Sequence, residues 1–270
     1  MNIKLISEIG DEPISLDEAK AQLMYTATDQ DNYISGLISA ARVMAEIYNG
    51  RQQTLKQWDL AMDHWPGSPM AGLSATPSPY FNLWPSEAYN LLAGVVPWAR
   101  AVRVAAPLVA VSSVKYRDDS GVIHTLNQGV DYFADTWKEP GLIAPCPNQS
   151  WPSSGLWPSS AIHIQFTAGK ISTDDADGAA PWAAGTAYAK GTVVTSNGFW
   201  VALQASIGVL PGSDYVSWGL VDPVGRHIKQ GMLLLVTQWF EDRIPFDAIR
   251  SIAEMPFSVT SLFTSDKLWV

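Results

Sequence analysis

Ser15-Leu16-Asp17-Glu18-Ala19-Lys20-Ala21-Gln22-Leu23 opens with a complete helix start. A serine followed three residues later by glutamate forms a reciprocal capping box, each side chain meeting the other residue's backbone N–H. Pro13 stands just upstream, and Leu16, Ala19 and Leu23 recur at helical spacing, so a helix is expected over 15–24. A second helix, 32–49, follows the acidic loop Thr28-Asp29-Gln30-Asp31. Ile34, Leu37, Ile38, Ala41, Ala45 and Tyr48 make one apolar stripe at steps of three and four, and Asn49-Gly50 supplies the left-handed stop. Asp29 and Asp31 are expected to cap it and complement its dipole. Far downstream, Pro223 introduces a third helix, 223–243, whose stretch Met232–Val236 is apolar on every face, a sign of burial on several sides.

Between these helices the period changes, and a β-rich region is expected over 54–169. Leu55–Met62 alternates roughly as a strand. Residues 66–97, rich in Pro, Gly, Ser and aromatics, read as an extended loop with a short helix around Glu87–Leu92. Val109–Arg117 and Val122–Leu126 flank the turn Asp118-Asp119-Ser120-Gly121 as an antiparallel pair. Asp131–Asp135 and Gly141–Ala144 read as short strands, and Ala161–Gly169 alternates well enough for a central one. Residues 172–180 read as a linker; Asp175, Asp177 and Gly178 echo a calcium loop, but the later ligand positions and the distal Glu are missing.

The composition narrows the function. Of 270 residues 47% are apolar, yet no apolar run approaches the ~20 needed to span a bilayer. The N-terminus lacks the apolar core of a secretory signal, so a soluble cytosolic product is expected. Cys146 stands alone, which excludes an intramolecular disulfide and reads as an inert thiol. A net charge of −9 argues against a surface built to grip phosphates. His64, His124, His163 and His227 fall in no metal-binding spacing, and no nucleophile elbow, phosphate loop or dinucleotide fingerprint is present. No catalytic residue, metal or cofactor is expected, and the chain is read as not an enzyme.

The helix pair ending Tyr48-Asn49-Gly50-Arg51, with the distant Ile228-Lys229-Gln230-Gly231-Met232-Leu233-Leu234-Leu235-Val236-Thr237-Gln238-Trp239-Phe240-Glu241-Asp242-Arg243, resembles the head–tail connector (neck adaptor) proteins of tailed bacteriophages. The resemblance spans 14–65, 108–169 and 223–265 with gaps. It implies an α+β fold: a helical bundle of connector type with a β-rich extension, formed by 1–171 and 222–270. It implies a structural virion protein at the head–tail interface, present in the host cytoplasm during assembly. Such proteins form a ring, twelvefold in known relatives, that extends the DNA channel beneath the portal. The implied partners are the portal protein, further copies of the chain, a downstream neck or tail completion protein, and DNA passing without sequence-specific contact; no membrane is involved. The sparsely charged tail Met255–Val270 carries Phe257, Val259, Leu262, Phe263, Leu268 and Trp269, the expected contacts to the portal or a neighbouring subunit.

Residues 181–221 stand apart. Trp182, Tyr188, Lys190-Gly191, Val193-Val194, Asn197-Gly198, Phe199-Trp200, Ala202, Pro211 and Trp218 fall in an order that resembles the small β-module of the chitin-binding type of carbohydrate-binding domain. The module fills the loop between Phe166-Thr167-Ala168-Gly169 and Pro223, which is a short connection in the connector family. The resemblance implies glycan stacking by Trp182, Tyr188, Trp200 and Trp218, and hence an alternative function as a carbohydrate-binding accessory or adhesin. Where the sugar binders carry tandem exposed Trp, however, this chain has Val201-Ala202-Leu203-Gln204-Ala205-Ser206. A module this small also needs aromatics to fill its own core, so a structural or decoration module is expected.

Overall fold

The computed structural model describes residues 2–66, 101–152, 155–214, 216–241 and 257–268. The loop over 66–97, apart from Pro66, and its expected helix lie outside these residues, as does Trp269. Five helices are present among the described residues: α1 (Leu16–Leu23), α2 (Asp31–Asn49), α3 (Thr173–Asp177), α4 (Arg226–Glu241) and α5 (Phe257–Thr264). Fourteen strands in four sheets accompany them. The expectation of a helical bundle as the body of the fold is therefore overturned: the molecule is an α+β mixture dominated by sheet. The long middle of the chain builds the larger hydrophobic core, and the helices form a smaller cluster with a core of their own.

The main sheet has the order β1-β2-β8-β4-β5, from β1 (Asn2–Glu8), β2 (Lys56–Met62), β8 (Ile162–Ala168), β4 (Leu108–Arg117) and β5 (Ile123–Leu126), every neighbour antiparallel. Its inner face carries Leu60, Phe166, Ile164 and Val114, each at most 1% exposed, while Asp59, His163, Gln165 and Lys115 face outward. Burying one such aliphatic side chain contributes about 1.5–3 kcal/mol. At the end of β8, Gly169 adopts φ +128°, and a Cβ there would lie 1.9 Å from the Thr54 carbonyl oxygen. Only glycine fits this close backbone approach. A second sheet, β3-β7-β6, comes from β3 (Val102–Arg103), β7 (Leu142–Pro145) and β6 (Tyr132–Asp135).

The helices form as their sequence dictates. The α1 capping box is complete, with the Glu18 N–H donating to Ser15 Oγ and the Ser15 N–H donating to Glu18 Oε2. Gly50 closes α2 at φ 72°. Asp29 and Asp31 do not cap α2, however. Gln30 holds the cap position without a side-chain bond, Asp29 accepts from the Tyr25 hydroxyl, and Asp31 pairs with Lys20 at 2.7 Å. Ile34, Ile38, Ala41 and Ala45 of α2 pack with Ile228, Met232, Leu235 and Val236 of α4. Helix α4 starts at Arg226 rather than Pro223, because Pro223 is engaged in a bridge with Ile171.

Residues 180–221 build two small sheets. One has the order β14-β12-β11-β9, from β14 (Trp218–Val221), β12 (Phe199–Ala202), β11 (Val193–Thr195) and β9 (Ala180–Pro181). The other pairs β10 (Ala187–Tyr188) with β13 (Ser206–Ile207). Val201 and Val221 join Leu55, Val109, Ala110, Ile171 and Ala176 in one apolar cluster, so this unit is fastened to the end of the main sheet. The approach is close: a Cβ on Gly219 would meet Val109 Cγ1 at 2.4 Å.

Candidate functional site

Two groups of residues were singled out as contacts to partners, the tail and the module aromatics. Val259 and Phe263 of α5 are 1% and 0% exposed, built into the chain's own helical core. Phe263 lies against Gly231 of α4 and beside Tyr48, whose ring centroid is 6.1 Å away. The Tyr48 hydroxyl bonds Thr264 Oγ1 at 3.0 Å. Past the helix, Asp266 accepts from Arg51 Nη1 at 2.7 Å and from Lys170 Nζ at 2.9 Å, and Arg51 also contacts Glu139. Burial opposes ionisation of Asp266, but the bond and charge of Lys170, reinforced by Arg51, hold its carboxyl below the usual range. The Leu268 N–H then donates to the Asn49 carbonyl at 2.8 Å. Leu262 and Leu268 are half-buried, whereas Phe257 is 86% exposed. Of the tail candidates that are described, Phe257 alone stands fully out in solvent.

The module aromatics point mostly inward. Tyr188 and Trp218 are 8% and 2% exposed, and their rings meet edge-on at 5.3 Å. The Tyr188 hydroxyl accepts from the Ala183 N–H at 2.7 Å, and Trp218 Nε1 donates to the Val209 carbonyl at 2.8 Å. Trp182 and Trp200 are half-buried against the same cluster. Trp200 Nε1 donates to the Ser196 carbonyl at 2.8 Å, and Gly212 sits over the ring so closely that a Cβ would lie 3.2 Å from it. These contacts hold the four rings as filling for a small core.

Ser120, Asp118 and His124 come together in the β4–β5 turn. Ser120 Oγ donates to Asp118 Oδ1 at 2.6 Å, and His124 Nε2 lies 2.7 Å from Oδ2. The bonds from Ser120 and His124 hold the Asp118 carboxyl far below its ordinary range. The carboxylate stands between hydroxyl and imidazole, so the order needed to activate a nucleophile is reversed. His163 similarly faces Asp59 at 3.1 Å on the open face of the main sheet. Among the described residues no group of three or more His, Cys, Asp or Glu could hold a metal ion, and no helix is long and apolar enough to cross a membrane. Sequence reasoning missed β1, whose exposed Leu5 and Ile6 form one border of the main sheet. Its only signal was the short run Ile3-Lys4-Leu5-Ile6, too brief to establish a period.

No family model matches the chain, and no curated protein matches it in sequence. Solved structures do match it in fold. A chain of the structure described as "Virion of native gene transfer agent (GTA) particle" superimposes with a TM-score of 0.57 at 13% identity, covering 100% of this chain and 97% of its own. A chain of "Neck of empty GTA particle computed with C6 symmetry" gives 0.53 at 15% identity with the same coverage. The chain shares its fold with chains of gene transfer agent particles. The match extends over nearly the whole of both chains.

Proposed function

We propose that this chain is a non-catalytic structural protein of a virion neck, a head–tail adaptor. In this reading copies of it form a ring under the portal, extend the DNA channel and join the head to a downstream neck or tail completion protein. The observation that carries the proposal is the whole-chain likeness in fold to a chain of a neck structure computed with C6 symmetry, reached independently of the connector-like sequence at both ends. Heterologous contacts repeated about an axis close into rings, in keeping with a twelvefold assembly. Net charge −9 suits a lumen through which DNA slides without sequence-specific contact.

Two finer readings belong to the same proposal. Residues 181–221 are an inserted module. Ile171 and Val224 pair across its base, with the Val224 N–H donating to Ile171 at 2.9 Å and the Ile171 N–H donating to Asp222 at 3.1 Å. Adjacent ends are what insertion into a loop requires. Docking by the tail falls first to Phe257, joined by Leu262, Leu268 and Trp269, since Val259 and Phe263 are committed to the core. The inward packing of Tyr188 and Trp218 weighs against the carbohydrate-binding alternative.

The test is native mass spectrometry with negative-stain imaging of the purified chain, alone and mixed with its portal. A closed ring, formed alone or on the portal, is the expected result. A monomer indifferent to portal overturns the proposal, and binding on a glycan array that Trp200→Ala abolishes would replace it with the carbohydrate reading.

A further inference from the structure

A single apolar row crosses the main sheet from border to border. Ile3 of β1 pairs with Leu60 of β2, Leu60 with Ile164 of β8, Ile164 with Val114 of β4, and Val114 with Leu126 of β5. The three middle residues are at most 1% exposed, whereas Ile3 and Leu126 are only partly buried. Among the described residues the core layer thus ends open on both sides. Next to these ends stand Leu5 and Ile6, each 47% exposed, and Val122 and Ile123, 53% and 63% exposed. No described residue pairs with the outer edge of β1 or of β5. Natural sheets guard such edges with charge, proline or a covering element. Here the seven residues of β1 contain no proline, one lysine and, at the end, one glutamate.

We propose that these two borders are the two halves of one interface between copies of this chain, β5 of one copy pairing with β1 of the next. The inference rests on the ring reading above and names its contact. The strands alternate in direction across five positions, so β1 and β5 run the same way. Neighbours related by rotation therefore present them in parallel. Main-chain groups left open on each edge satisfy one another, and Leu126 comes beside Ile3 and Leu5, continuing the buried row from copy to copy. The contact is heterologous, because β5 meets β1 and never itself, and such contacts close into rings or run on as filaments. A second copy is the one occupant that supplies both missing edges at once.

The test uses the full chain with Cys146→Ser. Lys4→Cys and Thr125→Cys, exposed neighbours of Ile3 and Leu126, are made separately, and a short bis-maleimide is added to each variant and to their mixture. Cross-linked dimer is expected in the mixture at least tenfold above either variant alone, with a ladder of higher species from the double variant. Leu5→Asp is expected to abolish the oligomer by native mass spectrometry while leaving the monomer's circular dichroism unchanged. Rings that persist with no cross-link, or that survive Leu5→Asp, overturn the edge pairing and leave the ring reading standing. Cross-linking within a single variant overturns the heterologous arrangement. A wild-type chain that never associates, alone or mixed with its portal, overturns both.

Discussion

Phe263 occupies the space beside Gly231 so fully that a Cβ built there would lie 2.5 Å from the phenylalanine Cε1. Glycine inside a helix costs about 1 kcal/mol relative to alanine, and here the cost has a use: it lets α5 seat its aromatic ring directly on α4. Gly231→Ala is expected to lower stability despite its better helix propensity. Overpacking costs about 1–3 kcal/mol, which exceeds that gain. A thermal melt should fall by several degrees, and an unchanged or raised midpoint would refute the contact.

Two phenylalanines six positions apart in sequence should behave oppositely. Phe263→Ala removes a ring that is 0% exposed and is expected to cost about 3–5 kcal/mol. Phe257→Ala removes one that is 86% exposed and should leave urea unfolding unchanged while weakening portal binding. Equal losses of stability in both variants would contradict this division of the tail.

Asp266 predicts a dependence on pH. Its folded carboxyl titrates below the ordinary aspartate range, so the stabilisation from Lys170 and Arg51 is fully present above about pH 4 and fades as pH falls through the lower folded value. The difference in melting temperature between the wild-type chain and Asp266→Asn should therefore be largest near pH 7 and shrink toward pH 3. A difference that grows on acidification would reverse the sign.

Glu46 ties two buried cations. Lys56 is 4% exposed and its Nζ lies 2.8 Å from the Glu46 carboxylate; Arg42 is 6% exposed, with Nη1 at 3.4 Å. Glu46→Gln leaves Lys56 without a carboxylate, while Arg42 keeps Glu12 at 2.8 Å, and a loss of about 3–5 kcal/mol is expected in chemical denaturation. Asp31→Asn breaks the more open pair with Lys20 and should cost at most about 1 kcal/mol. Comparable effects would mean that the Glu46 cluster is wetter than its packing shows.

The legible parts of this chain were those written in local chemistry. The Ser15–Glu18 box, the α2 stripe with its Gly50 stop, the hairpin about Asp118–Gly121 and the strand ending at Gly169 all form where their side chains require. What escaped was decided at a distance. The resemblance to the connector proteins implied a helical bundle, yet sheet dominates, and β1 becomes a strand only because β2 lies ready to pair with it. Residues 257–264 read as a sticky tail because Val259 and Phe263 have no partner until Gly231 opens a place for them. The linker 172–180 hides α3, whose Ser172 side chain accepts from the Asp175 N–H at 3.0 Å. Of the tail candidates, Phe257 keeps its exposure, while the open sheet borders gave too short a run of residues to be noticed.

The packing of α2 on α4 has a consequence for how the molecule comes into being. Ile34 and Ile38 meet residues such as Met232 and Leu235 that are synthesised only after the sheets and residues 180–221 have emerged. Loop closure over so many residues makes folding slow, since entropy is lost before the contact rewards it. On the ribosome the amphipathic α2 must wait with its stripe unsatisfied through most of translation. The finished helical core is thus a late event, and a chain truncated before α4 is expected to be a client for chaperones rather than a soluble fragment.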